Sequence, residues 1–320
     1  MVRRPPEVPA SAGTTVTAAL DRLLPDGKLG LAVSGGPDSL ALLLLAASAR
    51  AGRVRAATVD HGLRPESAGE AAMVAACCAE LGVPHDLLTV SVGPGASLQA
   101  QAREARYATL GEWAAGHGLT AVATAHHADD QAETVLMRLA RGSGVGGLAG
   151  IREERGLAAG VRLIRPLLGL RKADLVALVG SAGWSAVDDP SNHDPCHDRT
   201  QARALLAETS WLEPERLARS AAALADAAEA LDAMAAREWA EEVRREGETL
   251  AYRPSSLREI RRRIAAQAIG ELNPHAAVRG PDLDRLIGAL DGGSGGTLAG
   301  VMVRAEEGSW LFRLAPPRRT

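Results

Sequence analysis

Short apolar runs alternate with longer amphipathic stretches over the first 200 residues, and this alternation limits the possible folds more than any other feature of the chain. Leu29–Val33, Val54–Val59, Asp86–Val90 and Leu119–Ala125 read as strands. Between them Asp38–Arg50, Ser67–Leu81 and Ser97–His117 carry apolar residues at three- and four-residue spacing, the period of a helix with one buried face. Strands separated by helices build βαβ units. The expected fold class is therefore α/β, a parallel sheet with helices on both faces. A fifth strand is expected at Val161–Ile164 and a helix at Lys172–Ala182, with Asp188–Asn192 reading as a turn. From Pro214 the texture changes. Residues 215–246 read as one alanine-rich helix with Leu217, Ala221, Leu224, Ala228, Leu231 and Met234 on one face. Residues 255–290 suggest two or three more helices, and Gly292–Leu314 a small hairpin. Three segments follow: an N-terminal extension with a first helix (1–27), a catalytic α/β domain (28–212) and a smaller, mainly helical, substrate-binding domain with a terminal hairpin (213–320).

Ser34-Gly-Gly-Pro-Asp-Ser39 stands where the first strand gives way to a helix rich in leucine. Two glycines let the chain turn tightly with its N–H groups converging, and a helix N-terminus adds positive potential, which together make an anion pocket. Ser34 and Ser39 add hydroxyls. Asp38 is out of place beside an anion unless a cation lies between them, which implies Mg²⁺. The loop lacks the spacing and the lysine of a Walker A loop, and it is not GxGxxG. Standing alone, such a loop is also compatible with a helix start that binds nothing.

Other candidates lie at the ends of later strands. Asp60-His61-Gly62 follows the second strand, where parallel sheets bind ligands, although Asp-His-Gly alone is also an ordinary turn. Arg106, on the helix around Arg103–Tyr107, can hold a carboxylate or phosphate in a planar fork. The fourth strand runs into His126-His-Ala-Asp-Asp-Gln-Ala-Glu133. Adjacent histidines lack the spacing of zinc ligands. Asp130 can bind Mg²⁺ or accept a proton from an amine, and His126 can donate to developing negative charge. Asp129, Asp130 and Glu133 also suit the first turn of a helix for purely electrostatic reasons.

These segments carry a specific resemblance. SGGPDS resembles the SGGxDS signature of the N-type ATP pyrophosphatases, the PP-loop family. HHADDQAETVLMRLARGSGVGGLAGI (126–151) resembles the hallmark of the tRNA(Ile)-lysidine synthases. VDHGLRPES, AREARY, RPLLGLRK and the Trp184…Asp189-Pro-Ser-Asn192 segment match that family in the same order. The resemblance covers roughly residues 28–205 and implies a two-step ligase. ATP would adenylate the C2 oxygen of cytidine 34 in the CAU anticodon of tRNA(Ile), releasing pyrophosphate, and the amine of free L-lysine would displace AMP to give lysidine.

Carried over by position, the resemblance makes Ser34, Gly35, Gly36, Pro37, Asp38, Ser39, Asp60 and His61 the ATP-binding set. Asp38 and Asp130 become the Mg²⁺ carboxylates, and Asp38, Arg106, His126 and Asp130 the catalytic residues. Arg141, Arg199 and Arg203 are expected to face RNA. One departure is visible: the family's Arg-Asn-x-x-Arg reads Arg199-Thr-Gln-Ala-Arg203 here, which keeps the arginine pair on one helix face and loses the asparagine. A thiolase of the same fold would want a catalytic cysteine or a CxxC, but Cys77 and Cys78 are adjacent and Cys196 stands alone. An amidating ligase would share only the loop. A non-catalytic nucleotide- or RNA-binding protein remains the alternative of a different class.

Composition bounds the setting. No run of apolar residues is long enough to span a membrane, and the first residues hold Arg3, Arg4 and prolines instead of a secretory core, so a cytoplasmic protein is expected. Its assembly is unreadable, with a homodimer one expectation. A net charge of −3 and 2% aromatic residues exclude a general basic coat and base stacking as the main mode of binding. That charge is uneven: residues 137–172 hold eight basic and two acidic side chains, which predicts local arginine patches.

Overall fold

The structure is a computed structural model that describes residues 10–60, 67–90, 98–187, 198–255 and 257–316. His61, the Asp188–Asn192 turn and Cys196 lie outside the described residues. The chain divides into two compact units, one of Met1–Arg141 with Gly150–Ala221, the other of Gly142–Ala149 with Ala222–Thr320. The division falls inside a helix that the sequence places wholly in its third segment, and a short glycine-rich piece of the middle segment goes with the second unit.

The first unit opens with α1 (Ala10–Leu23), β1 (Leu29–Ala32), α2 (Pro37–Ala49), β2 (Val54–Asp60), α3 (Ser67–Glu80), β3 (His85–Thr89), α4 (Leu98–Gly116), β4 (Ala121–Ala123) and α5 (Ala128–Ala140). The short α6 (Val145–Leu148) belongs to the second unit, after which β5 (Glu154–Ala158), β6 (Val161–Ile164), α7 (Lys172–Ser181) and α8 (Asp198–Glu208) return to the first. Six strands form one sheet in the order β3-β2-β1-β4-β6-β5. All pairings are parallel except β5 with β6, which is antiparallel. The expected parallel α/β sheet is therefore present, with one antiparallel edge strand that the sequence reading missed. Apart from Leu157 its residues are charged or small, and most are exposed, so it carries no apolar period to read.

Alternation along the strands supplies two cores. Leu29, Leu31, Ala56, Ala121, Ala123 and Ile164 pack with α1, α2, α3 and α7. Ala57, Val122 and Leu163 pack with Tyr107, Leu110, Trp113 and Ala114 of α4. Neighbouring residues of one strand thus point into different cores, as the pleat requires. Helix α2 is buried all round from Leu40 to Ala46, which explains why its leucines show no amphipathic period.

Helix α9 (Pro214–Glu242) leads into β7 (Val243–Glu246), β8 (Thr249–Tyr252), α10 (Arg258–Leu272), α11 (Gly280–Asp291), β9 (Gly295–Leu298), β10 (Val301–Glu306) and β11 (Ser309–Leu314). The expected terminal hairpin is real, pairing Val301 with Leu314 through Glu306 with Ser309, but it sits within a five-stranded antiparallel sheet, β7-β8-β11-β10-β9. The long helix also stops sooner than expected. Val243–Glu246 is an exposed, charged edge strand, and on α9 the buried positions are Pro214, Ala221, Ala228, Ala235 and Glu238, with Met234 exposed. The core of the second unit joins Ile260, Ile264 and Ile287 to Tyr252, Trp310 and Phe312, the only phenylalanine of the chain. Tyr252 meets Trp310 edge-on at 5.5 Å and donates its hydroxyl to buried Glu238 at 2.5 Å.

Candidate active site

The site is built at the carboxyl ends of β1 and β4, neighbours in the sheet. After β1 the chain turns through Gly35, whose φ of +90° is one that residues with a side chain rarely adopt. Ser39 fixes the loop from the first turn of α2: its Oγ accepts the N–H groups of Ser34 and Gly35, both at 3.1 Å, and donates to the carbonyl of Gly36 at 2.9 Å. Gly36 is the N-cap and places no side chain over the helix start, and Pro37 opens the first turn. An uncapped helix N-terminus beneath a glycine turn favours phosphate oxygens. Asp60 ends β2 on the adjacent strand.

Asp38 and Asp130 meet at one ring. His127 Nε2 lies 3.5 Å from Asp38 Oδ2 and 3.5 Å from Asp130 Oδ2, while its Nδ1 lies 3.6 Å from Asp129. His127 is also the N-cap of α5, its backbone N–H donating to Asp130 Oδ2 at 3.0 Å. Burial works against charge on this ring, but its contacts with Asp129 and Asp38 and the neighbouring Asp130 prevail and raise its pKa to about 9. The 3.4 Å approach of the Asp130 N–H to Nδ1 is at the limit of a hydrogen bond, so the surrounding carboxylates set the ring's charge. Asp38 Oδ1 is buried with no hydrogen-bond partner. Asp129 accepts the backbone N–H of Lys172 at 2.7 Å and two nitrogens of Arg171, which fastens α5 to the start of α7.

His126 sits in the opposite environment. Its Nδ1 is 3.0 Å from the hydroxyl of Thr124, and burial followed by the charges of Arg165, Arg103, Arg199 and Arg106 pushes the ring down to about 3. Arg106 lies with its Cζ 5.2 Å from the centre of the Tyr107 ring. Glu133, one turn beyond Asp130, is buried. It receives Arg199 and, at 2.6 Å, Arg203, while Arg199 Nη2 reaches Asp130 at 2.5 Å. The arginine pair expected to face RNA thus turns towards the carboxylates of α5, and Arg141 is paired with Asp198.

Sequence reasoning missed three contributors. Glu133 was legible, because Asp130 and Glu133 at i, i+3 match Arg199 and Arg203 at i, i+4. Arg165 was signalled by an arginine closing an apolar strand. The role of His127 as a charged N-cap had no local signal, since it depends on Asp38 arriving from another strand.

A glycine-turned anion loop after β1, with carboxylates converging from β4, defines a nucleotide-using PP-loop protein, and the family described as a PP-loop domain matches residues 12–209. A tRNA(Ile)-lysidine synthase of Zymomonas mobilis is 46% identical over 92% of this chain and 90% of its own length. One of Novosphingobium aromaticivorans is 45% identical over 97% of this chain and 96% of its own. The chain belongs to the tRNA(Ile)-lysidine synthase family, a family of ligases that form a carbon–nitrogen bond. Among solved structures, the U34-tRNA thiolase NcsA of Methanococcus maripaludis shares the fold, with a TM-score of 0.55 at 16% identity over 67% of this chain and 77% of its own. No helix among the described residues is long and apolar enough to cross a membrane.

Proposed function

We propose that this chain joins free L-lysine to C2 of cytidine 34 in tRNA(Ile) bearing a CAU anticodon, with ATP as co-substrate and Mg²⁺ as the metal. The observation that carries the reading is the meeting of Asp38 and Asp130 beside the uncapped start of α2, with His126 and its arginines next to them. Among the described residues no group of three or more His, Cys, Asp or Glu side chains is set to hold a metal. Two carboxylates, one with a buried oxygen awaiting a partner, nevertheless suit Mg²⁺, which keeps waters and takes phosphate oxygens as its other ligands. Bound there, the ion would neutralise the triphosphate and the departing pyrophosphate.

The chain's own groups account for the rest. The loop and α2 hold the phosphates by backbone N–H groups, so the cytidine oxygen can attack the α-phosphorus as pyrophosphate leaves. Adenylation turns a poor leaving group into AMP. The amine then attacks C2, its C–N bond forming as the C–O bond to AMP breaks, and its proton passes to a carboxylate. Lysine carries one carboxylate and two ammonium groups. Arg199 and Arg203 facing Asp130 and Glu133 form a complementary set, an assignment that adds to their expected RNA-facing role.

The test supplies the protein with CAU-anticodon tRNA(Ile) transcript, labelled lysine, ATP and Mg²⁺. The expected outcome is incorporation of label with one AMP and one pyrophosphate per lysine. Absence of incorporation, with ATP–pyrophosphate exchange supported by another acceptor, would overturn the reading.

A further inference from the structure

Beside the active site, arginines without a nearby carboxylate gather around one tyrosine of the first unit. Three guanidinium groups surround the Tyr107 ring: Arg155 Cζ at 4.5 Å from its centre, Arg103 at 5.1 Å and Arg106 at 5.2 Å. Arg165 joins them from the end of β6, almost wholly buried, with Nη1 on the carbonyl of Arg152 and Nε lacking any partner. The Tyr107 hydroxyl is buried with no hydrogen bond of good geometry, although the Arg106 and Arg165 guanidiniums approach it. Among the described residues no carboxylate lies within 4.0 Å of any of these four arginines, whereas Arg55, Arg141, Arg171 and Arg199 elsewhere in the same unit each have one.

Topology brings them to one place. Helix α4 follows β3 and runs back along the sheet, so its first half, with Arg103 and Arg106, lies towards the carboxyl ends of the strands. Strand β5 is antiparallel, and Arg155 pairs with Leu163 one residue short of the end of β6. Arg165 follows β6 directly. Arg103, Arg155 and Tyr107, with Glu104, Ala108 and Leu157, line a cleft with a volume of about 540 Å³, and Arg165 lies buried outside its lining.

Like charges gathered without counter-charge are costly unless an anion completes them. The nucleotide's phosphates are poorly placed to be that anion. They belong to the loop after β1, and β5 lies three strands away across the sheet, about 14 Å at ordinary strand spacing. A nucleotide within a polymer, by contrast, brings phosphodiesters on both sides of the base being modified. Planar guanidiniums suit the two free oxygens of each.

We propose that Arg103 and Arg155, set over the Tyr107 ring with buried Arg165 adding positive charge from behind, form a subsite for an RNA backbone phosphodiester flanking the target nucleotide. The subsite rests on the RNA-modifying reading above and adds the group by which the polymer is held. Arg103 and Arg155 are exposed and hold no other structural partner side chain, so they are the residues to vary.

The experiment measures binding of a CAU anticodon stem-loop to the full chain and to R103Q/R155Q, across salt concentration, with ATP affinity measured in parallel. A companion series of stem-loops carries one neutral methylphosphonate each, at a single backbone position near the target cytidine. The double variant is expected to bind unmodified RNA at least 10-fold more weakly, with ATP affinity unchanged and a salt slope shallower by about 0.7 for each phosphate it no longer neutralises. One methylphosphonate position should weaken the wild type and have no further effect on the variant, while R103K/R155K recovers much of the salt slope. Unchanged RNA affinity and salt slope in the variant would overturn the subsite even if the wild type incorporates lysine. Loss of ATP affinity with RNA affinity intact would overturn it in favour of nucleotide phosphates. Failure of the wild type to incorporate lysine, with the methylphosphonate coupling present, would remove the lysine reading and leave the subsite standing.

Discussion

His126 and His127 are neighbours on extended backbone, so their rings leave the chain on opposite sides and enter opposite fields. The first faces arginines and is neutral, the second faces carboxylates and is charged. For His126 the folded pKa of about 3 lies below the unfolded 6.5, so the unfolded chain binds more protons in between. Stability associated with this residue is therefore full above 6.5 and declines as pH falls towards 3. By pH 5 the decline has an upper bound of about 2 kcal/mol. Thermal melts should show the melting temperature of H126Q falling less than that of the wild type between pH 6.5 and 5. Parallel curves for the two proteins would mean that the ring is not held neutral. None of this was legible from two adjacent histidines. Their identities mark a polar strand end, but their charges are set by Asp38, Arg165 and Arg199, which arrive from three other parts of the chain.

Elements were more legible where one face is apolar and less so where a strand is exposed. The strand Val161–Ile164 and the start of α7 at Lys172 fall where the sequence places them, because apolar runs and a following Arg-Pro define them. Strands β5 and β7 escaped because most of their residues face solvent and neither carries an apolar period, so pairing alone makes them strands. The glycine-rich link after α5 shows what the composition could not specify. Gly150 has a φ of +68°, and a Cβ there would lie 2.3 Å from Gln131 Oε1. That oxygen accepts the N–H of Ile151 at 2.6 Å while Gln131 Nε2 donates to the Ile151 carbonyl at 2.9 Å, closing a buried amide clamp on α5 next to Asp130. Gly150→Ala should strain the backbone and open the clamp, costing about 2–4 kcal/mol. Denaturant unfolding would measure the loss, and a cost under about 0.5 kcal/mol would show that the clamp is dispensable.

At the scale of the whole molecule, two units hold separate hydrophobic cores, and nearly all the site residues described above belong to the first. Ile264 is wholly buried in the second core. Ile264→Ala should cost about 2–5 kcal/mol in the stability of that unit by leaving a cavity. ATP affinity, which depends on the loop after β1, should stay the same, and calorimetry beside a nucleotide titration would read both. A fall in ATP affinity equal to the loss of stability would mean that the two cores act as one. The texture of the sequence changes at Pro214, whereas the division between the units falls after Ala221, and the five-stranded sheet left no signal because short antiparallel strands with mixed residues leave little periodicity.

The reversed strand β5 has a further consequence. An edge strand offers unpaired N–H and C=O groups to any chain that can lie beside it, and a long, flat, apolar edge invites stacking of one molecule on another. Strand β5 offers Glu154, Arg155 and a glycine, and its pairing slips register between Gly156 and Ala158, which bends the ribbon. It is a poor template for edge-to-edge addition. The same few residues that bring Arg155 beside Tyr107 thus also guard the sheet against growing into a fibre.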